Sequence, residues 1–162
     1  MKSWDQFFNF LMKWEGTTFE NDPADPGGAT KFGIDSRSHP GLDIKNLTLA
    51  DAEEIYMREF NASFAHKLPS PFSWLAFDAA VNAGESRSVK IFQKALGVTA
   101  DGIWGKMSQA AFINQEHTNP NLVHDLILER NAFYRSIAHG KLAKFLKGWL
   151  NRTADLYVFV TE

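Results

Sequence analysis

Apolar side chains recur at helical spacing along most of this 162-residue chain, and one polar stretch interrupts them. Ser3 followed by Gln6 forms a capping-box pattern. Behind it Trp4, Phe7, Phe8, Leu11 and Trp14 fall on one helical stripe, and Gly16 is a natural terminator. Residues 16–47 lose the period and fill with Gly, Pro, Asp and Asn around short apolar pieces such as Phe32-Gly33-Ile34. They predict a loop with room for a small hairpin. The period returns at Thr48, paired with Asp51 as a cap, with Leu49, Ala52, Tyr56 and Phe60 on one face. Ser70-Pro71 places a proline at the start of FSWLAFDAAVNAG, which is apolar nearly all round and stops at Gly84. That segment predicts a central buried helix. A short helix from Ser86 to Leu96, one near 106–114, a long one carrying Leu122, Leu126, Phe133 and Ile137, and a last one carrying Trp149, Leu156, Tyr157 and Val160 complete the pattern. The expected fold is mainly α, a helical bundle with a loop-rich insertion after its first helix.

Composition narrows the chemistry. The chain has no cysteine, which removes disulfides, thiol nucleophiles and thiolate metal sites. A formal net charge of −2 argues against a nucleic-acid binder that works by neutralising phosphates. The N-terminal helix is broken by Asp5, Gln6, Asn9 and Lys13 and lacks a small-residue cleavage site, so it reads as part of the fold and not as a signal peptide. No run reaches transmembrane length. The expectation is a protein made in the cytoplasm that acts on its substrate after release or export. The five histidines show no zinc-ligand spacing. An EF-hand starting at Asp22 has its glycine (Gly27) but puts Gly33 where a bidentate Glu is needed. GGATKFG lacks the phosphate-loop spacing. No metal and no cofactor are expected.

The candidate chemistry lies at WEGTTFENDPADPGGATKFGI, residues 14–34. Glu15 falls on the stripe of Trp4, Phe8 and Leu11, at a helix C-terminus where the dipole disfavours negative charge. Desolvation and dipole both favour the neutral carboxylic acid, as a general acid for glycosidic cleavage requires. Asp22 and Asp25 follow in a polar stretch suited to ionised carboxylates, and glycoside hydrolysis uses such a split pair. Gly27 and Gly28 allow backbone to approach a ligand, and the Thr30 hydroxyl can hold a water or sugar. The plainer reading of the same residues is a set of turn formers and caps.

The stretch also resembles the signature of the glycoside hydrolase 108 family of N-acetylmuramidases, through Glu15-Gly16, Pro23, Asp25, Gly27-Gly28, Thr30 and Gly33-Ile34. FDAAVNAG (77–84), KALGVTADGIWG (94–105) and KGWLNR (147–152) resemble the family's central helix, its C-terminal peptidoglycan-binding segment and its closing motif. The chain departs from the pattern at Thr17-Thr18, where the family has a glycine and an aromatic. The resemblance implies a lysozyme-like helical fold, with residues 1–92 as the catalytic region and 93–162 as a peptidoglycan-binding-like region of the same compact domain. It implies Glu15 as the acid and cleavage of the β-1,4 bond between N-acetylmuramic acid and N-acetylglucosamine. Asp25 matches the motif's aspartate and is favoured over Asp22 as second carboxylate, with Thr30 positioning water. The expected partner is the peptidoglycan glycan strand, with a holin or export system for release, in a monomer.

Other residues carry paired readings. Asp78 and Asn82, one turn apart on the apolar helix, either brace the core or line a binding cleft. Asp101 and Trp104 make a turn with a packing tryptophan or, alternatively, a glycan contact. Arg130 and Arg152 either cover apolar surface or pair with carboxylates, or one of them instead orients a catalytic carboxylate. Two other activities fit the pattern: a lytic transglycosylase using Glu15 alone, and a catalytically weak peptidoglycan-binding protein.

Overall fold

The computed structural model describes residues 1–21 and 28–162. Among these residues it has seven α-helices and one two-stranded antiparallel sheet, so the fold is mainly α. Cα proximity divides it into two compact units, residues 2–62 and residues 63–162 together with Met1.

In the first unit, α1 spans Trp4–Glu15. The Ser3 hydroxyl accepts from the Gln6 amide while the Gln6 side chain accepts from the Ser3 amide, so the capping box is formed. Gly16, at φ 78°, ends the helix and returns its N–H to the Met12 carbonyl. Phe7, Phe8 and Leu11 are buried as the stripe requires; Phe10 and Met12, off that stripe, are buried as well. The hairpin follows as β1 (Thr30–Lys31) and β2 (Ile34–Asp35), with Thr30 opposite Asp35 and Lys31 opposite Ile34. A 3-10 turn at Ile44–Asn46 leads to α2, Leu49–Ala62. Thr48 and Asp51 cap α2 reciprocally: the Thr48 amide donates to the Asp51 carboxylate, and the Asp51 amide donates to the Thr48 hydroxyl.

The second unit opens with a 3-10 turn (Phe64–Lys67) and α3, Phe72–Ala83. Pro71 stands just before the helix and not at its first helical position. An unbroken run from Phe72 to Ala79 is buried, as expected of a central helix. It packs against α4 (Glu85–Ala95), α6 (Leu122–Ile137) and α7 (Leu146–Thr161), while α5 covers Lys106–Thr118. On α6 the buried stripe is Leu122, Leu126, Arg130 and Tyr134, with Phe133 and Ile137 only half-buried. This differs from the expected apolar line because a neutralised arginine occupies a core position. On α7 Arg152, Thr153 and Leu156 are buried and Tyr157 is exposed, for the same reason. Residues Gly140–Phe145 form a 3-10 segment that the sequence pattern did not predict.

Candidate functional site

Glu15 is the last residue of α1 and is half-buried. What lies against it is the hairpin tip. The two residues between β1 and β2 are Phe32 at φ 54° and Gly33 at φ 75°. Positive φ at both central residues is the pattern of a type I′ turn, which matches the twist of the flanking strands. Glycine accepts that conformation freely, whereas Phe32 is strained in it. The strain is held by α2: the buried Tyr56 hydroxyl donates to the Phe32 carbonyl at 2.9 Å.

Gly33 has a second reason to be glycine. A Cβ placed there would lie 2.7 Å from Glu15 Oε2, 2.9 Å from Glu15 Cβ and 2.7 Å from the Tyr56 hydroxyl. The carboxyl group and the phenol therefore converge on the bare face of one glycine. No side chain fits between them without moving the carboxyl.

The polar stretch is anchored at its ends. Glu20 and Thr30 exchange two backbone hydrogen bonds of 2.8 Å, so the chain leaves and re-enters at one point beside β1. Asp22, Asp25 and Gly27 lie outside the described residues. The Thr30 hydroxyl donates to the Gly28 carbonyl at 3.4 Å, which leaves its lone pairs as acceptors. Gly28, at φ 73°, would place a Cβ 2.6 Å from Ser36 Oγ, so it too must be glycine. Asp35, the acid of β2, is engaged elsewhere: burial opposes its charge, but the Ser38 amide and hydroxyl hold it below the usual carboxylate range.

Asp78 has a different environment. It is fully buried, and its two oxygens are bonded to Arg130 Nη2 at 2.6 Å and Arg152 Nη2 at 2.7 Å. Burial alone would neutralise it; the Arg152 and Arg130 charges outweigh burial and hold it ionised, below the usual range. With both oxygens bonded and no exposed surface, it ties α3 to α6 and α7. Its contacts are internal, and it offers no face to a ligand. Asn82, one turn on, is half-buried, and its carbonyl accepts a short hydrogen bond from the Tyr134 hydroxyl. Burial raises the Tyr134 phenol, which stays a neutral donor.

The Asp101–Trp104 turn is built around Gln93, fully buried on α4. Its amide nitrogen donates to Asp101, the Ile103 carbonyl and Ser108, and its oxygen accepts from the Gly102 amide. Trp104 turns inward, its ring 4.8 Å from Phe64 and its Nε1 donating to Gln109. Asp101 lines a cleft of about 500 Å³ whose lining does not include Trp104.

Gln93, Tyr56 and Tyr134 escaped the sequence reading. Tyr56 stood on the predicted face of its helix, but nothing in the pattern tied it to a turn 24 residues away. The Phe-Gly pair between Thr30-Lys31 and Ile34-Asp35 was the available signal for a turn. No group of three or more potential metal ligands forms among the described residues. Nor is any helix among them long and apolar enough to cross a membrane.

Residues 8–84 match the family described as Glycosyl hydrolase 108, and residues 87–154 match the one described as Predicted Peptidoglycan domain. The fold is similar to the solved structure of Brucella abortus SagA, with a TM-score of 0.78 and 27% identity over 97% of this chain and 92% of that one. No curated protein matches the sequence at a significant level.

Proposed function

We propose that the chain is an N-acetylmuramidase with Glu15 as its general acid, on the match of residues 8–84 to the Glycosyl hydrolase 108 family and of residues 87–154 to the Predicted Peptidoglycan domain. The observation that carries this reading is the seat of Glu15. A carboxyl group stands at the end of a helix, half open, held against a glycine that has no side chain to displace it. Glu15 delivers its proton to the glycosidic oxygen as the β-1,4 bond between N-acetylmuramic acid and N-acetylglucosamine breaks. Such positioned proton transfer is typically worth about 10²–10⁴ in rate. Asp25, with Asp22 as the alternative, takes a proton from the water that attacks the sugar carbon, and Thr30 orients that water. Wall glycan is then the substrate and the cell wall the place of action.

Digestion of purified peptidoglycan by the wild type and by Glu15→Gln, followed by mass analysis of the fragments, tests this. Reducing ends from the wild type and none from the variant are expected. Anhydromuramyl ends would make the enzyme a lytic transglycosylase. Binding without digestion would make it a binding protein.

A further inference from the structure

Charge is unevenly divided along the chain. Residues 8–84 hold six Lys and Arg against eleven Asp and Glu, whereas residues 87–154 hold ten against four. Within the second stretch Arg130 and Arg152 are buried around Asp78, and the other cations are exposed. Three of them, Arg87, Lys90 and Lys94, project from the exposed side of α4 at helical spacing. None of the three is in an ion pair among the described residues; Lys90 alone has a carboxylate, Asp101, in its neighbourhood. Together they rim a hollow of about 100 Å³ floored by Ile91, Ala100 and Phe133.

We propose that this hollow is a subsite for the stem peptide of peptidoglycan. The proposal rests on the peptidoglycan reading above and names which part of that polymer the second region holds. The glycan backbone carries no charge once its lactyl group is amidated, so three unpaired cations have nothing to meet along it. Free carboxylates occur on the peptide, and its alanyl methyls match the apolar floor. Size points the same way. A hollow of 100 Å³ is roughly three waters' worth of liquid volume, enough for methyl groups and well below the ~300 Å³ at which pockets begin to enclose whole ligands.

The test uses the full chain carrying Glu15→Gln, so that the wall is not digested, and measures co-sedimentation with purified sacculi. The variant R87E/K90E/K94E is compared with K141E/K144E/K147E, which changes the net charge equally at another exposed basic stretch. Thermal melts check that both are folded. The α4 variant is expected to bind about tenfold or more weakly, the control within about threefold of the parent. Isolated stem peptide is expected to compete, and both differences to shrink in salt. Equal losses in the two variants, failure of stem peptide to compete, or equal competition by anionic phospholipid vesicles would each overturn the subsite. Failure of the muramidase reading appears separately: peptide-free glycan strands would then stay uncut, or be cut to anhydromuramyl ends, whatever the residues on α4. If that reading holds, the α4 variant in a Glu15 background cuts those strands at the parental rate.

Discussion

Glu15 and Asp78 sit on two helices of equal length, 12 residues each, and have opposite fates. Asp78 is enclosed, and two guanidiniums fix it in its ionised form. Glu15 is half open, at a helix end, beside a strained turn and a glycine. A carboxylate bonded on both oxygens by arginine cannot exchange protons with a substrate. A carboxyl with one face open and its position fixed by packing can. The first arrangement holds a fold together, and the second leaves a reactive group available. The two regions also differ in what holds them: the helical one ties α3 to α6 and α7 through the Asp78 carboxylate and its two arginines, while the hairpin keeps a positive-φ phenylalanine held by one phenol.

The largest effect is expected at the buried carboxylate. Asp78→Ala removes the buried carboxylate that Arg130 and Arg152 share and should cost about 3–5 kcal/mol, lowering the melting temperature by roughly 10 °C. A melt that moves little would break the contrast between the two acids. The same ion cluster predicts a pH dependence. The Asp78 carboxyl is held below its ordinary value of about 3.9, so its contribution is fully present above that pH. It is lost as pH falls through the lower folded-state value. Acid unfolding followed by circular dichroism should therefore show a steep loss below about pH 4 that flattens in Asp78→Asn.

Gly33→Ala should act mainly on catalysis. Its Cβ would strike the Glu15 carboxyl, and a displacement of this kind costs on the order of 10- to 100-fold in kcat. The accompanying loss of stability, about 1–2 kcal/mol from the left-handed backbone, is smaller. Steady-state kinetics on soluble glycan strands, with KM nearly unchanged, would support this; normal kcat would separate the hairpin from the acid. Tyr56→Phe leaves the buried Phe32 carbonyl without its donor and should cost about 1–2 kcal/mol in a denaturant titration. Smallest is Ser3→Ala, which removes one cap at the end of α1 opposite Glu15. It should cost about 0.5–1 kcal/mol with unaltered turnover.

Much of this was legible in the sequence because it depended on local rules. The capping residues of α1 and α2, the glycine stops and the apolar run of α3 each act within a few residues, and they appear where the pattern placed them. What was not legible depends on residues distant in sequence meeting in space. Arg130 and Arg152 became core residues only because Asp78, 52 and 74 positions away, neutralises them. The hydrophobic stripe of α6 therefore ran through an arginine and a tyrosine instead of Phe133 and Ile137. Glu15 could be placed at its helix end by phase, but its contact with Gly33 required a turn whose twist a sequence pattern does not encode.

The central claim is that Glu15 supplies the proton for glycan cleavage while Asp78 supplies only structure. The rate at which Glu15→Gln hydrolyses soluble, peptide-free glycan strands, relative to the wild type, tests it most directly. A fall of about 10²–10⁴ in a protein that melts at the wild-type temperature is predicted. A rate within twofold of the wild type would contradict it.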